Sequence, residues 1–349
     1  MKRWQGLLIG LAISVAALYL ALRSVNLADA VDALRGADYI WVVPTFALSV
    51  GGLFIRALRW RVLLDGRLPL PRSFSILNIS YIVNNILPAR LGEVARAFLA
   101  TRVDPPVPVF TSLSTIIAER IIDTLMCVIM IGGVLLVLPD MPPEVTGVGL
   151  TLGLASLVAF AMLLVFARRR GWAHTFLNLG LRIAPPLRRL RLDQVLDRAL
   201  DGLKSLATVR GLLGIGFWTV VGWVFSVTAG YVLMYALYEN PRWDAAVLFI
   251  AAASFAIAVP ATFASIGPFE YAVMISLVAV YGAGMGDTSA VQSTALSFAL
   301  ILHTLNVTTY AIMGAIGMVQ EGVSLGQVTR GARAINAGQH AEPETQPGG

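Results

Sequence analysis

Five windows free of Asp, Glu, Lys and Arg recur along this chain: Trp4 to Leu22, Tyr39 to Ile55, Val145 to Ala167, Gly211 to Tyr238 and Thr288 to Gln320. As helices, all five are long enough to cross a hydrocarbon core about 30 Å thick. A sixth segment, residues 109–138, resembles them except for Glu119, Arg120 and Asp123 near its centre. With 57% hydrophobic and 13% charged residues, a water-soluble fold of 349 residues could not hide so much apolar surface. Lipid cannot satisfy free backbone N–H and C=O groups, so the expected fold is an all-α polytopic membrane helix bundle with about six full spans. Three ions within one span cost roughly 2.5–3.5 kcal/mol each even on the lenient insertion scale. They are expected to face protein or water, which makes this segment the first place to look for function.

Charge sets the orientation. Residues 168–210 carry ten basic residues against three acids (Asp193, Asp197 and Asp201), a surplus larger than the net +6 of the whole chain. Cytoplasmic loops collect Lys and Arg in this way, so both termini are expected in the cytoplasm of a cell-membrane protein. Topology explains the basic residues without a nucleic-acid partner, since they cluster beside span ends. Within the loop, Leu192, Val195, Leu196, Ala199, Leu203 and Leu206 follow helical spacing opposite the three acids, predicting a helix on the inner leaflet beside anionic lipids. Met1, Lys2 and Arg3 precede a window with no small-residue cleavage site, so a retained first helix is expected. The lone Cys127 excludes an intrachain disulfide. Residues 1–320 read as one membrane domain, and the Gly-, Gln-, Pro- and Glu-rich stretch 321–349 as a disordered cytoplasmic tail.

Two apolar stretches are interrupted. Ser73 to Ala89 runs into Leu87-Pro88-Ala89-Arg90-Leu91-Gly92-Glu93, and Ala245 to Val259 into Pro260 through Gly267 to Glu270. Proline removes a backbone donor and glycine loosens the turn, so each reads as a helix, a break and a returning helix. Irregular backbone at membrane depth has to border protein or a wet cavity. The order span, span, hairpin, span then occurs twice with opposite insertion, the pattern of an inverted repeat with its site at the breaks.

These pieces, together with Arg56-Ala57-Leu58-Arg59-Trp60, Arg96, and Glu119-Arg120 with Asp123, resemble the flippase-like family related to the transmembrane region of lysylphosphatidylglycerol synthase. One glycine of the family's usual pattern at the last break is absent, where Ser265-Ile266-Gly267 stands. The resemblance implies translocation of a lipid between leaflets. In two-part members the lipid is made by an attached soluble domain, which this sequence does not carry. Synthase activity is therefore not expected, and a separate lipid-synthesising enzyme is a conceivable partner.

Arg90, Glu93 and Arg96 fall on one face of the returning helix, and arginine forks suit phosphate oxygens. On this reading Arg90, Arg96 and Arg120 cradle a headgroup phosphate, while Glu93, Glu119, Asp123 and Glu270 balance them and meet any amine. Glu119 and Asp123 are equally consistent with a structural clamp. His303 and Asn306 could bind headgroup, relay a proton or bond a neighbouring helix. Arg56, Arg59 and Trp60 are expected to anchor a span end at the interface, and Asn84 and Asn85 to cap freed backbone groups. No cofactor or metal is expected, and no phosphate-binding loop for a nucleotide occurs. Two other classes stay open: a membrane-embedded lipid-modifying enzyme such as a glycosyltransferase, and an accessory subunit of an envelope lipid pathway.

Overall fold

The computed structural model describes residues 3–23, 25–87, 90–136, 143–183, 192–258 and 263–336, and among these every regular element is helical. In chain order the helices are α1 (Arg3–Leu22), α2 (Leu27–Gly36), α3 (Val42–Leu63, entered through a 3₁₀ turn at Tyr39–Trp41), α4 (Leu70–Ile86), α5 (Leu91–Ala100), α6 (Val109–Leu135), α7 (Pro143–Arg168) and α8 (Arg170–Ile183). The second part holds α9 (Leu192–Gly202), α10 (Lys204–Ala207), α11 (Val209–Met234), α12 (Trp243–Ala258), α13 (Pro268–Tyr281), α14 (Ser289–Glu321) and α15 (Leu325–Asn336).

Each of the six apolar segments lies in a helix, and all but one end close to the expected bounds: α3 runs past Ile55 to Leu63. Of these, α3 with its leading turn, α11 and α14 are by themselves long and apolar enough to cross a membrane, so the chain is a multi-pass membrane protein. The 27 residues of α6 make a rod about 40 Å long that carries three charges at mid-length. After α1 the chain bends by 84° into the short α2.

Both interrupted stretches fold as helix, break and helix. α4 and α5 pack against each other, as do α12 and α13. Arg90, Ala264 and Ser265 all have left-handed backbone, at φ 53°, 51° and 60°. That conformation costs a side-chain-bearing residue about 1 kcal/mol or more, so the surrounding bundle has to hold it. Two glycines allow close backbone approaches at the breaks, one to the partner arm of its hairpin and one to α1. A Cβ on Gly92 would lie 2.0 Å from the Ser80 carbonyl oxygen of α4, and one on Gly267, at φ 96°, would lie 2.4 Å from the Ser14 carbonyl oxygen of α1.

Apolar clusters pack the helices together around the charged centre, a small one joining α6, α11 and α12 through Cys127, Trp223 and Ala251 and three larger ones elsewhere. One joins α12, α13 and α14 through Phe249, Phe269 and Phe298. Another joins α3, α4, α5 and α15 through Trp60, Ile76, Ile79, Leu99 and Val328. The third joins α3, α6, α9, α10 and α11 through Leu63, Ala118, Leu200, Leu206 and Ile215.

Two expectations are corrected here. The amphipathic α9 exists, but its apolar side is covered by protein: it packs on α6, with Leu200, Leu203 and Leu206 buried and the Thr111 hydroxyl donating to the Arg198 carbonyl at 2.8 Å. The stretch after Glu321 is not wholly irregular, because α15 forms within it and buries Val328 and Ala332 against α5. Its start is a Ser-x-x-Gln capping box: Ser324 N–H donates to Gln327 Oε1 at 2.9 Å, and Gln327 N–H to Ser324 Oγ at 3.3 Å. Residues 337–349 lie outside the described residues.

Candidate functional site

The site begins with the charges on α6. Glu119 and Asp123 are four residues apart, so they share a face, and that face meets arginines from two other helices. Arg96 of α5 holds Glu119 through both forks, at 2.6 and 3.1 Å, and Arg59 of α3 holds Asp123 through both, at 2.6 and 3.0 Å. Arg59 Nε also lies 3.8 Å from Glu119. Trp223 of α11 donates its indole N–H to Asp123 at 3.3 Å. Below Arg96 lies the Trp60 ring, 3.9 Å from guanidinium to centroid, with its own N–H bonded to the Thr115 hydroxyl at 3.2 Å. Arg120 points away from this face and binds Glu93 at 2.9 Å.

The two breaks complete the enclosure. Arg90, at the first break, donates from its guanidinium to the carbonyl of Ile257 near the end of α12, and it also lies 3.7 Å from Glu93. One hairpin tip is thereby tied to the other. Gly92 N–H is capped by Asn84 Oδ1 at 2.8 Å. At the second break Glu270 turns inward: its Oε2 accepts the Gly267 N–H at 2.7 Å, and its Oε1 pairs with His303 Nδ1 on α14. The Phe269 ring packs on His303 at 4.7 Å between centroids.

Between these elements lies a cavity of about 260 Å³. Six of the eight residues singled out from sequence line it: Arg90, Glu93, Glu119, Arg120, Asp123 and His303. The other two stand behind its wall, Arg96 under Glu119 and Glu270 beneath His303. Asn306, Asn84 and Asn85 also face it.

The largest correction concerns Arg56, Arg59 and Trp60. None of them anchors a span end at the interface. Trp60 and Arg59 are buried and Arg56 lines the cavity, where it reaches the Ser226 hydroxyl at 3.2 Å and the Tyr81 hydroxyl at 3.4 Å. The missed signal was helix length. No Gly or Pro interrupts the chain between Gly52 and Gly66, so the helix continues to Leu63 and carries these arginines inside the bundle. Tyr81, Tyr310 and Ser226 were missed as well, since isolated hydroxyls in apolar runs give no pattern.

Among the described residues no group of His, Cys, Asp and Glu side chains could hold a metal ion. What the arrangement offers is a chamber inside an apolar bundle whose largely apolar lining carries a cluster of arginines and carboxylates, at the meeting point of two broken helices.

Comparison with curated proteins and with solved structures gives no significant match. The family profile of the lysylphosphatidylglycerol synthase transmembrane region matches residues 7–314, which include both hairpins and every residue of the site. The chain therefore belongs to the lysylphosphatidylglycerol synthase transmembrane-region family.

Proposed function

We propose that this protein is a lipid translocase of the cytoplasmic membrane, moving a phosphate-bearing lipid between leaflets through the chamber without changing it chemically. The observation that carries this reading is the chamber itself. Polar side chains within a bundle of apolar helices lower the barrier that a charged headgroup meets in hydrocarbon, and broken helices at a midplane site are the usual architecture of secondary transporters. On this reading the chain crosses the membrane six times, at α1, α3, α6, α7, α11 and α14, with both termini cytoplasmic. The two hairpins enter from opposite sides.

An inverted repeat pairing α1, α3, α4–α5 and α6 with α7, α11, α12–α13 and α14 is supported by which helices pack together. α6 packs on the hairpin helix α12 of the other half, α14 packs on α4, and the equivalent helices α3 and α11 pack on each other. The site residues would act in this scheme by cradling the headgroup as it passes, with Arg90, Arg120 and His303 at the chamber surface.

The test is leaflet exchange in proteoliposomes carrying a fluorescent phospholipid, with an impermeant quencher reading the outer leaflet. Protein-dependent exchange that Arg90→Ala slows at least ~10-fold, with the lipid recovered unaltered, is the expected result. A chemically altered lipid would point to a membrane-embedded enzyme instead. Absence of both exchange and product would point to an accessory subunit.

A further inference from the structure

We infer that Arg56 is the seat of an anion, and that the chamber selects a phosphate or similar oxyanion carried without a neighbouring amine. The inference rests on the reading of the chamber as a lipid path and narrows its substrate. It comes from following every charge to its partner. Around the chamber stand five arginines, Arg56, Arg59, Arg90, Arg96 and Arg120, and three carboxylates, Glu93, Glu119 and Asp123. Arg59 takes both oxygens of Asp123, Arg96 takes both of Glu119, and Arg120 takes Glu93, to which Arg90 also lies near. Glu270 is held by Gly267 N–H and His303. No carboxylate is left over to receive an ammonium group.

Two of the five arginines, Arg90 and Arg120, share Glu93, and Arg56 is the one with no carboxylate within 4 Å among the described residues. Its hydrogen-bond partners are the neutral hydroxyls of Ser226, Tyr81 and Tyr310, and Asp123 acts on it only at longer range. Residues 88–89 and 259–262 at the two breaks bear no ionisable side chain, so they supply no counter-ion. The Tyr81 ring stacks on Tyr310 at 5.0 Å, and both rings line the chamber beside Arg56. One planar fork and two phenolic O–H donors make a set suited to an oxyanion. The nearest counter-charge to Arg56, Asp123, is already held through both oxygens by Arg59, so an incoming anion would give this buried cation a partner of its own. An incoming ammonium group would meet a like charge instead.

The purified full-length protein tests this with three probes: dihexanoyl phosphatidylglycerol, dihexanoyl phosphatidylethanolamine and inorganic phosphate. Binding is read by thermal stabilisation and tryptophan fluorescence. The glycerol lipid is expected to bind at least ~10-fold more tightly than the ethanolamine lipid, and Arg56→Met to erase that preference. Ligand-free Arg56→Met is expected to melt clearly higher than Arg59→Met, because only Arg59 is paired through both forks with a carboxylate. If inorganic phosphate stabilises the wild type in the same Arg56-dependent way, the seat takes a free anion. If only the lipid does, the anion comes on a headgroup.

Equal binding of the two lipids would overturn the inference, as would a preference that survives in folded Arg56→Met. An Arg56→Met protein that melts as low as Arg59→Met, or does not fold, would also overturn it by assigning Arg56 a structural role. Wild-type vesicles that exchange lipid while both lipids bind alike would remove this inference and leave the translocase reading. Arg56-dependent selectivity in vesicles that exchange no lipid would do the reverse.

Discussion

The two breaks share a local pattern, proline, then glycine, then glutamate, and use it differently. At the second break the carboxylate folds back on its own helix: Glu270 accepts the Gly267 N–H and is backed by His303 of α14. At the first break Glu93 reaches away to Arg120 on α6, and the freed Gly92 N–H is capped by Asn84. Arg90 there is held in left-handed backbone and bonds the carbonyl of Ile257 on the opposite hairpin. The comparison teaches that the same sequence device can commit its carboxylate to the start of its own helix at one break and, at the other, to a neighbouring helix through charges that a ligand can compete for.

The largest effect is expected where the first hairpin is fastened to α6. Glu119→Ala leaves Arg96 buried without its carboxylate and should cost about 3–5 kcal/mol of stability, read from melting of the detergent-solubilised protein. A loss under ~1 kcal/mol would mean that the returning helix is not held by this pair. Next come the two break carboxylates. Glu270→Ala, which orphans a buried N–H and the His303 ring, should cost about 2–3 kcal/mol. Glu93→Ala, whose partner Arg120 is more exposed, should cost under ~1 kcal/mol yet slow leaflet exchange at least tenfold. Equal stability losses would dissolve the contrast between the breaks.

The smallest effect is expected on α9, within the basic stretch 168–210. Burial opposes ionisation of Asp201, but hydrogen bonds from Arg170 and Lys204 outweigh it and hold the carboxyl below its usual range. A depressed folded-state value contributes stability that is present above the unfolded pKa of about 4 and lost as pH falls through the folded value. Asp201→Asn should therefore cost under ~1 kcal/mol at pH 7 and progressively less as pH falls through the folded carboxyl's depressed value. A difference that persists in acid would show that the residue acts through packing rather than charge.

Much of this was legible in the sequence, because the bilayer is a simple solvent. A missing charge over about 20 residues marks a helix, and Pro with Gly marks where it breaks, so all six apolar segments and both hairpins were readable. The charges on α6 were readable as a site because lipid makes them costly. What stayed hidden depended on depth and partners. Arg56 and Arg59 sit just past an apolar window, where snorkelling and burial look alike in sequence. The apolar stripe of α9 fits a leaflet and a neighbouring helix equally well, and composition outweighed the short capping box that starts α15.

The central claim is that the chamber is wet inside the bilayer. Helix α11 allows a test at nearly constant depth, since Ser226 lines the chamber while Val224, two residues away, is exposed on the outside of the bundle. In a Cys127→Ala background, Ser226→Cys and Val224→Cys can be reconstituted separately and treated with a small water-soluble methanethiosulfonate. The account predicts that the thiol at position 226 reacts at least ~10-fold faster than the one at 224, since only a hydrated thiol ionises to the reactive thiolate. Equal inertness at both positions, or faster reaction at 224, would contradict it.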